Sequence, residues 1–302
     1  MIKNIAKTIY NAVPGKPLAF RILRSMIRPS QKTYRHLHFK GPFEVVMPAG
    51  GRFAMIHFGH EVENDLFWAG YGNGWERTSL RVWEAMAKNA HIIFDIGANT
   101  GTYALAAKAM NPLAHVDAFE PVARIFESLS ANVALNLPNI KPHCIALSDR
   151  TGSATLFDSG DEHLYSASLN HAMLGKKGER AKMIVPVQTI DDYCDTNEIL
   201  NVDLMKIDTE MHEPEVLRGA QKVLSRDRPA ILIEILNTDI GQKVADLMPG
   251  YRFFQICEGK GLLSSENLGA SGERNYLALH GADPRCDAIG DSIPEDQVNR
   301  LA

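Results

Sequence analysis

The sequence predicts an α/β fold, a mostly parallel sheet with helices on both faces. Three observations carry this. From residue 91 onward, short apolar runs alternate with helical spacings. The first of these runs ends in a glycine turn that opens a helix. The chain has 302 residues, 45% hydrophobic and 23% charged, so a sizeable core is available.

Residues 1–40 hold nine Lys or Arg and no Asp or Glu, a charge of +9. The net charge is −4, so the remaining residues carry −13. Ile2, Ile5 and Ile9 follow a helical spacing, as do Leu18, Ile22 and Met26. Pro14, Gly15 and Pro17 break the chain between them. This basic arm reads either as helices packed on the acidic body or a second subunit, or as a peripheral contact with an anionic membrane or acidic partner. Nucleic acid is disfavoured, because the body is acidic and no recognition motif occurs.

Residues 41–90 read as a cap. Extended runs at 43–47 and 53–58 flank Gly50-Gly51, a hairpin turn. Trp68, Gly70, Tyr71, Gly72, Gly74 and Trp75 form either a lid over a pocket or a packed connector. The main domain is expected over 91–282. Its strands fall at 91–96, 116–120, 140–147, 203–208, 230–236, 251–257 and 275–280. Helices fall at 102–110, 124–136 and 214–224. Extra strands at 153–157 and 183–187 surround a polar loop at 158–180. Residues 283–302, acidic and proline-containing, are expected to be a poorly ordered tail.

No stretch approaches the roughly 18–20 apolar residues of a membrane span. The start, Met1-Ile2-Lys3-Asn4-Ile5, lacks the apolar block of a secretory signal. Cys144, Cys194, Cys257 and Cys286 form no Cys-x-x-Cys pair and read as free thiols. A cytoplasmic location, with peripheral membrane contact through the arm as the alternative, is the expectation.

The most informative segment is Phe94-Asp95-Ile96-Gly97-Ala98-Asn99-Thr100-Gly101. Glycines let a backbone turn sharply and approach a ligand closely. The following helix start presents unpaired N–H groups. A pyrophosphate fingerprint would place glycines at 97, 99 and 102, but 99 and 102 are Asn and Thr, so NAD is disfavoured. Glu120 ends the second strand, where an acid accepts hydrogen bonds from ribose hydroxyls. Acids at 95 and 120 suit an adenosyl ligand without phosphate, such as S-adenosylmethionine.

With these pieces the chain resembles the FkbM family of S-adenosylmethionine-dependent methyltransferases. Ala118-Phe119-Glu120-Pro121, Ala146-Leu147-Ser148-Asp149, Thr189-Ile190-Asp191-Asp192 and Leu204-Met205-Lys206-Ile207-Asp208-Thr209-Glu210 carry the likeness further. Glu213, Val216-Leu217-Arg218-Gly219-Ala220 and Ile233-Glu234 complete it over about 91–236. The resemblance implies the Rossmann-like class I methyltransferase fold, seven strands with one antiparallel. It also implies a cytoplasmic enzyme that methylates a hydroxyl, often on a sugar or natural product. By the resemblance, Asp95, Gly97, Asn99 and Gly101 line the methionine end of the cofactor and Glu120 takes the ribose. Pro121 packs on adenine, Asp149 meets the adenine amine or caps its turn, and Glu76 touches the cofactor or holds a lid.

The acceptor should lie at the carboxyl ends of the strands. Asp208 and Glu234 fall there, and Glu210, His212 and Glu213 follow Asp208. Such a cluster suits a general base, polyol hydrogen bonding, or ligation of a hard divalent metal by Asp208 and Glu234. His212 is the best base by intrinsic pKa. Pro214 suits a first helical turn, so Glu213 also reads as its cap. His57, His60, His163 and Tyr165 are candidate walls of the acceptor pocket, each more simply a surface or packing residue. The family pattern Asp-x-Glu-Gly-x-Glu is broken here, because Met211 replaces its glycine. An amine acceptor, and a non-catalytic scaffold that keeps the fold, are the competing functions.

Overall fold

Residues in a strand alternate between the two faces of its sheet, so a strand buried on both faces is apolar throughout. The central strands obey this. Ile93, Leu204 and Leu232 enter one buried cluster, and Phe94, Met205 and Ile231 enter another. The computed structural model describes residues 15–74, 76–136, 139–158, 167–168 and 181–302.

The chain opens with α1 (Lys16–Met26) and α2 (Gln31–Tyr34). The hairpin β1 (Gly41–Val46) and β2 (Arg52–His57) follows, then α3 (Glu61–Trp68) and α4 (Arg77–Ala87). The main sheet begins with β3 (Ile92–Ile96), α5 (Thr102–Met110), β4 (His115–Phe119), α6 (Ala123–Ala134) and β5 (Ile140–His143). Next, β6 (Ala146–Leu147), β7 (Gly152–Asp158), β8 (Ala167–Ser168) and β9 (Ala181–Gln188) make a separate four-stranded sheet. The chain returns through α7 (Ile190–Thr196), β10 (Leu204–Ile207), α8 (Glu213–Arg218), α9 (Gln221–Arg226), β11 (Ala230–Glu234) and α10 (Thr238–Leu247). It ends with β12 (Tyr251–Cys257), β13 (Gly261–Ser265), β14 (Asn275–His280), α11 (Arg285–Ile289), β15 (Ser292–Pro294) and a 3₁₀-helix (Glu295–Leu301).

Among the described residues the main sheet has nine strands in the order β15-β13-β12-β14-β11-β10-β3-β4-β5. Strands β11, β10, β3, β4 and β5 run parallel, and β14 is antiparallel to both its neighbours. The seven strands from β12 to β5 are the class I methyltransferase arrangement. β13 and β15 extend it beyond the expected seven by covering the outer edge of β12. The connections leave β3 towards β4 on one side and return to β10 on the other. A ligand crevice opens at such a switch point. Cores lie on both faces: α4 and α5 contribute to one, and α7, α8, α9 and α10 to the other.

Several expectations need correction. The run 140–147 is two strands. Pro142 brings no N–H to the edge, and Ala146 and Leu147 leave the main sheet to pair with Val187 and Gln188. The helix expected at 214–224 breaks at Gly219 and Ala220. A Cβ on Gly219 would overlap the carbonyl oxygen of Ser148, so this turn and the β6 end pack backbone to backbone. Helices α3, α4, α7 and α10 fall where none was expected. The 68–74 stretch is a packed connector: Trp68 and Tyr71 are buried, and Tyr71 donates to the Leu80 carbonyl. Trp75, the spacing Ile2-Ile5-Ile9, His163 and Tyr165 lie outside the described residues.

The last twenty residues are not loose. Cys286, Ile289, Ile293, Val298 and Leu301 are buried, and the 3₁₀-helix packs on α4. Glu295 pairs with Arg77 and Arg81. Truncating a fully buried leucine costs about 2–5 kcal/mol. Leu301→Ala is therefore expected to lower the free energy of urea unfolding by about 2–3 kcal/mol. A change below about 0.5 kcal/mol, the scale of an exposed position, would mean that the segment does not pack.

Candidate active site

The switch point holds a cavity of about 340 Å³. One wall is the turn after β3. Gly97 there has φ +77°, and a Cβ would overlap the backbone carbonyl oxygen of Asp208. Only glycine lets the β3 and β10 ends come this close. The Gly97 and Ala98 N–H groups both donate to the Phe119 carbonyl, at 3.0 and 2.9 Å. Asn99, in the left-handed region at φ 52°, donates its N–H to Glu120 Oε2 at 3.1 Å. Glu120 Oε1 accepts from the Val122 N–H at 2.9 Å. Burial raises the Glu120 carboxyl to about 7.

Alternation puts Asp95, Lys206, Asp208 and Glu234 on the same face of the sheet, the face covered by α5. Asp95 Oδ2 accepts from the Ala104 N–H at 2.9 Å, while its buried Oδ1 has no hydrogen-bond partner. Burial raises Asp95 to about 6. Lys206 pairs in register with Asp95 across the two strands, and its Nζ lies 2.7 Å from Asp208 Oδ2. That ammonium also sits 4.5 Å from the Tyr103 ring centroid. Burial would lower the Lys206 pKa, but Asp208, Asp95 and Glu76 outweigh it and hold it above its ordinary value. Glu76, at the left-handed cap of α4, accepts from Tyr103 Oη at 2.7 Å and Asn275 Nδ2 at 3.1 Å. Burial raises Glu76 to about 7. Glu234 is pushed up to about 9 by burial, then by the Asp208 and Glu210 charges.

A family model described as the methyltransferase FkbM domain matches residues 95–253. The chain belongs to the FkbM methyltransferase family. The hexuronic acid methyltransferase AglP of Haloferax volcanii is 26% identical over 49% of this chain and 58% of its own length. The 2-O-methyltransferase NoeI of Sinorhizobium fredii is 25% identical over 59% of this chain and 80% of its own. A crystal structure of methyltransferase FkbM from Methylobacillus flagellatus aligns with TM-score 0.40 and 15% identity, over 64% of this chain and 44% of that one.

The residues fit the S-adenosylmethionine that this methyltransferase family uses. The orphaned Asp95 Oδ1 can accept from an ammonium, and both Glu120 oxygens retain lone pairs for hydroxyls. The cavity holds more carboxylates than cations, which favours a cationic ligand over a pyrophosphate. Of the cofactor residues read from sequence, Asp95, Gly97, Asn99, Glu120, Pro121 and Glu76 line the cavity. Gly101 and Asp149 stand off its wall. Gly101, at φ +92°, gives way to Leu129, and Asp149 accepts from Ser148 Oγ.

The acceptor candidates divide. Asp208 and Glu234 stand beside Lys206, Glu210 acts on Glu234, and all three acids line the cavity. His212 lines the same cavity but is tied elsewhere: its Nε2 lies 3.0 Å from Ser148 Oγ and its Nδ1 3.6 Å from Glu215. Glu213 turns back to cap Thr209. His60 lines the cavity, whereas His57 is buried and bonded to Asn64. The divalent-metal expectation finds no support in the donor set. Among the described residues no group of three or more His, Cys, Asp or Glu is arranged to hold an ion, and a lysine ammonium occupies Asp208 Oδ2. Sequence reading gave Lys206 and Tyr103 no role. A lysine two positions before Asp208 in an otherwise apolar strand was the available signal.

A carboxyl whose folded pKa is raised binds more protons folded than unfolded, so stability falls as pH rises between the two values. Glu76, Glu120 and Glu234 are such groups. Burial lowers His57 and His212, which act oppositely only below their ordinary 6.5. Glu76 and Glu120 lose most of their contribution by about pH 7, and Glu234 is still protonated above it, so unfolding free energy is expected to fall from about pH 7 to 9 by up to about 1.4 kcal/mol per unit. Urea titrations across that range check this, and a flat or rising profile would reject the buried-acid description.

Proposed function

We propose that this chain is an S-adenosylmethionine-dependent O-methyltransferase acting on a hydroxyl of a sugar, glycolipid or natural-product metabolite. The observation that carries the proposal is the Lys206–Asp208–Glu234 constellation, which faces the same cavity as the orphaned Asp95 oxygen. The names of the relatives, a hexuronic acid methyltransferase and a 2-O-methyltransferase, support a hydroxylated sugar as acceptor.

When bound, S-adenosylmethionine supplies an electrophilic methyl group on a sulfonium. Asp95 Oδ1 would hold its ammonium, Glu120 its ribose hydroxyls, and Pro121 the adenine face. Alignment within the cavity would provide much of the acceleration. An acceptor hydroxyl must also lose its proton, and the Asp208 carboxylate takes it. Lys206 fixes Asp208 through Oδ2. Glu234 stays protonated at neutral pH and donates a hydrogen bond to Asp208. His212, anchored on Ser148, shapes the wall beside the turn after β6.

Transfer of labelled methyl from S-adenosylmethionine into a fractionated extract tests this. Label is expected in the small-metabolite, glycan or lipid fraction. Asp208→Asn should cut transfer about 10²–10⁴-fold, the usual value of a positioned base, while cofactor affinity stays within a few fold. Glu120→Ala should instead weaken cofactor binding about 10–100-fold, matching charged hydrogen bonds of ~1.5–3 kcal/mol. Label confined to amine acceptors, indifferent to Asp208→Asn, would favour N-methylation. Failure to bind the cofactor would favour a scaffold.

A further inference from the structure

We infer that α1 is a seat for an anionic phospholipid bilayer. Among the described residues, one face of the helix fixes it to the body. The Phe20 ring lies 5.3 Å from that of Trp68 and 6.2 Å from that of Phe39, and Leu23 packs on the same core. Arg24 lies over the Phe67 ring at 5.2 Å. The opposite face carries Leu18, Ile22 and Met26 at i, i+4 and i+8, exposed by 64%, 53% and 76%, and Ile27 beyond them is 53% exposed. Residues 15–40 contain seven Lys or Arg and no Asp or Glu. Arg28 and Lys32, just past the helix, are exposed.

An apolar stripe flanked by cations is the composition that lies in a membrane interface, with the apolar side among acyl chains and the cations at anionic headgroups. A second copy is a poorer occupant. The other large exposed apolar side chains among the described residues, such as Leu113, Ile184 and Leu200, stand singly in loops or strands and offer no matching patch, and α1 paired with its own copy would set the seven basic residues of 15–40 against their like.

The seat adjoins the cavity. Phe67 and Trp68, on which α1 rests, belong to α3, whose Glu61 and Asp65 line the cavity, and Tyr34 from α2 donates to Asp65. A bilayer under α1 would bring the cavity wall to the headgroup layer. The surface itself does not rest on the methyl-transfer reading, although the consequence that the acceptor is met at a membrane does.

Full-length protein should therefore float with vesicles of phosphatidylcholine containing phosphatidylglycerol at least about tenfold better than with phosphatidylcholine alone. The triple variant Leu18→Glu, Ile22→Glu, Met26→Glu should lose that binding while keeping S-adenosylmethionine affinity. The pair Arg28→Glu, Lys32→Glu should weaken it and make what remains less sensitive to salt. Equal recovery on both vesicle types, or unchanged binding by the triple variant, would overturn the inference. So would a parent dimer, seen by light scattering, that turns monomeric in the triple variant, since the stripe would then belong to a second copy. Binding that appears only after residues 1–14 are removed would assign the stripe to the chain's own start and overturn it equally.

Discussion

Lys206 lies on β10, hydrogen-bonded to β3 on one side and β11 on the other, with its side chain 5% exposed. An ammonium left unpaired at such a depth costs several kcal/mol. The surrounding fold is arranged to supply partners. β3 brings Asp95 in register, the end of β10 brings Asp208, and the left-handed cap of α4 brings Glu76. Tyr103 from α5 closes the group by bonding Glu76 and offering its ring to the ammonium. Four elements, three of them consecutive in the chain and β10 far beyond them, therefore meet on one charge. The carboxylates outnumber it, so the protein alone leaves a negative excess inside the cavity. Burial answers by raising the acids towards protonation, and a cationic ligand would answer by neutralising them.

The same geometry links the two halves of the site. Because Gly97 sits directly against the Asp208 carbonyl, the turn after β3 and the end of β10 cannot move independently. Interiors packed this closely transmit small displacements rather than absorb them. Reactive groups must be held to a fraction of an ångström for alignment to be effective. The glycine contributes this coupling through backbone contact, with no side chain taking part.

Much of this was legible in the sequence, and the residues show why the rest was not. Buried strands announce themselves as short apolar runs, so β3, β4, β10, β11, β12 and β14 were found close to their ends. The Gly97–Gly101 turn was legible because its glycines have a backbone reason. The stripe Leu18-Ile22-Met26 was found as a helical face, but periodicity cannot say which face the body takes. Phe20 and Leu23 won, because Phe39 and Trp68 offer aromatic partners that are distant in sequence. The packing of 283–302 was hidden for a similar reason. Its few apolar residues look like a polar tail until β13 and α4 provide something to cover. Lys206 was passed over because one charge in an apolar run carries no information about the acids that surround it.

The loop after β10 gives the cavity wall beside Asp208 its shape. Glu210 and Met211 both occupy the left-handed region, at φ 53° and 72°. A glycine at 211 adopts that conformation freely, whereas a methionine there is strained by about 1–3 kcal/mol. The side chain recovers part of this by packing, half-buried, on the cluster beneath the sheet. The turn so held delivers His212 to Ser148, fastening the loop after β10 to the end of β6. A glycine at 211 would remove both the packed methionine and the stiffness it gives this loop. Asp208 precedes the turn and is held by Lys206, so its position does not depend on Met211. The cavity wall at His212 does, because the turn that Met211 holds is what carries His212 to Ser148.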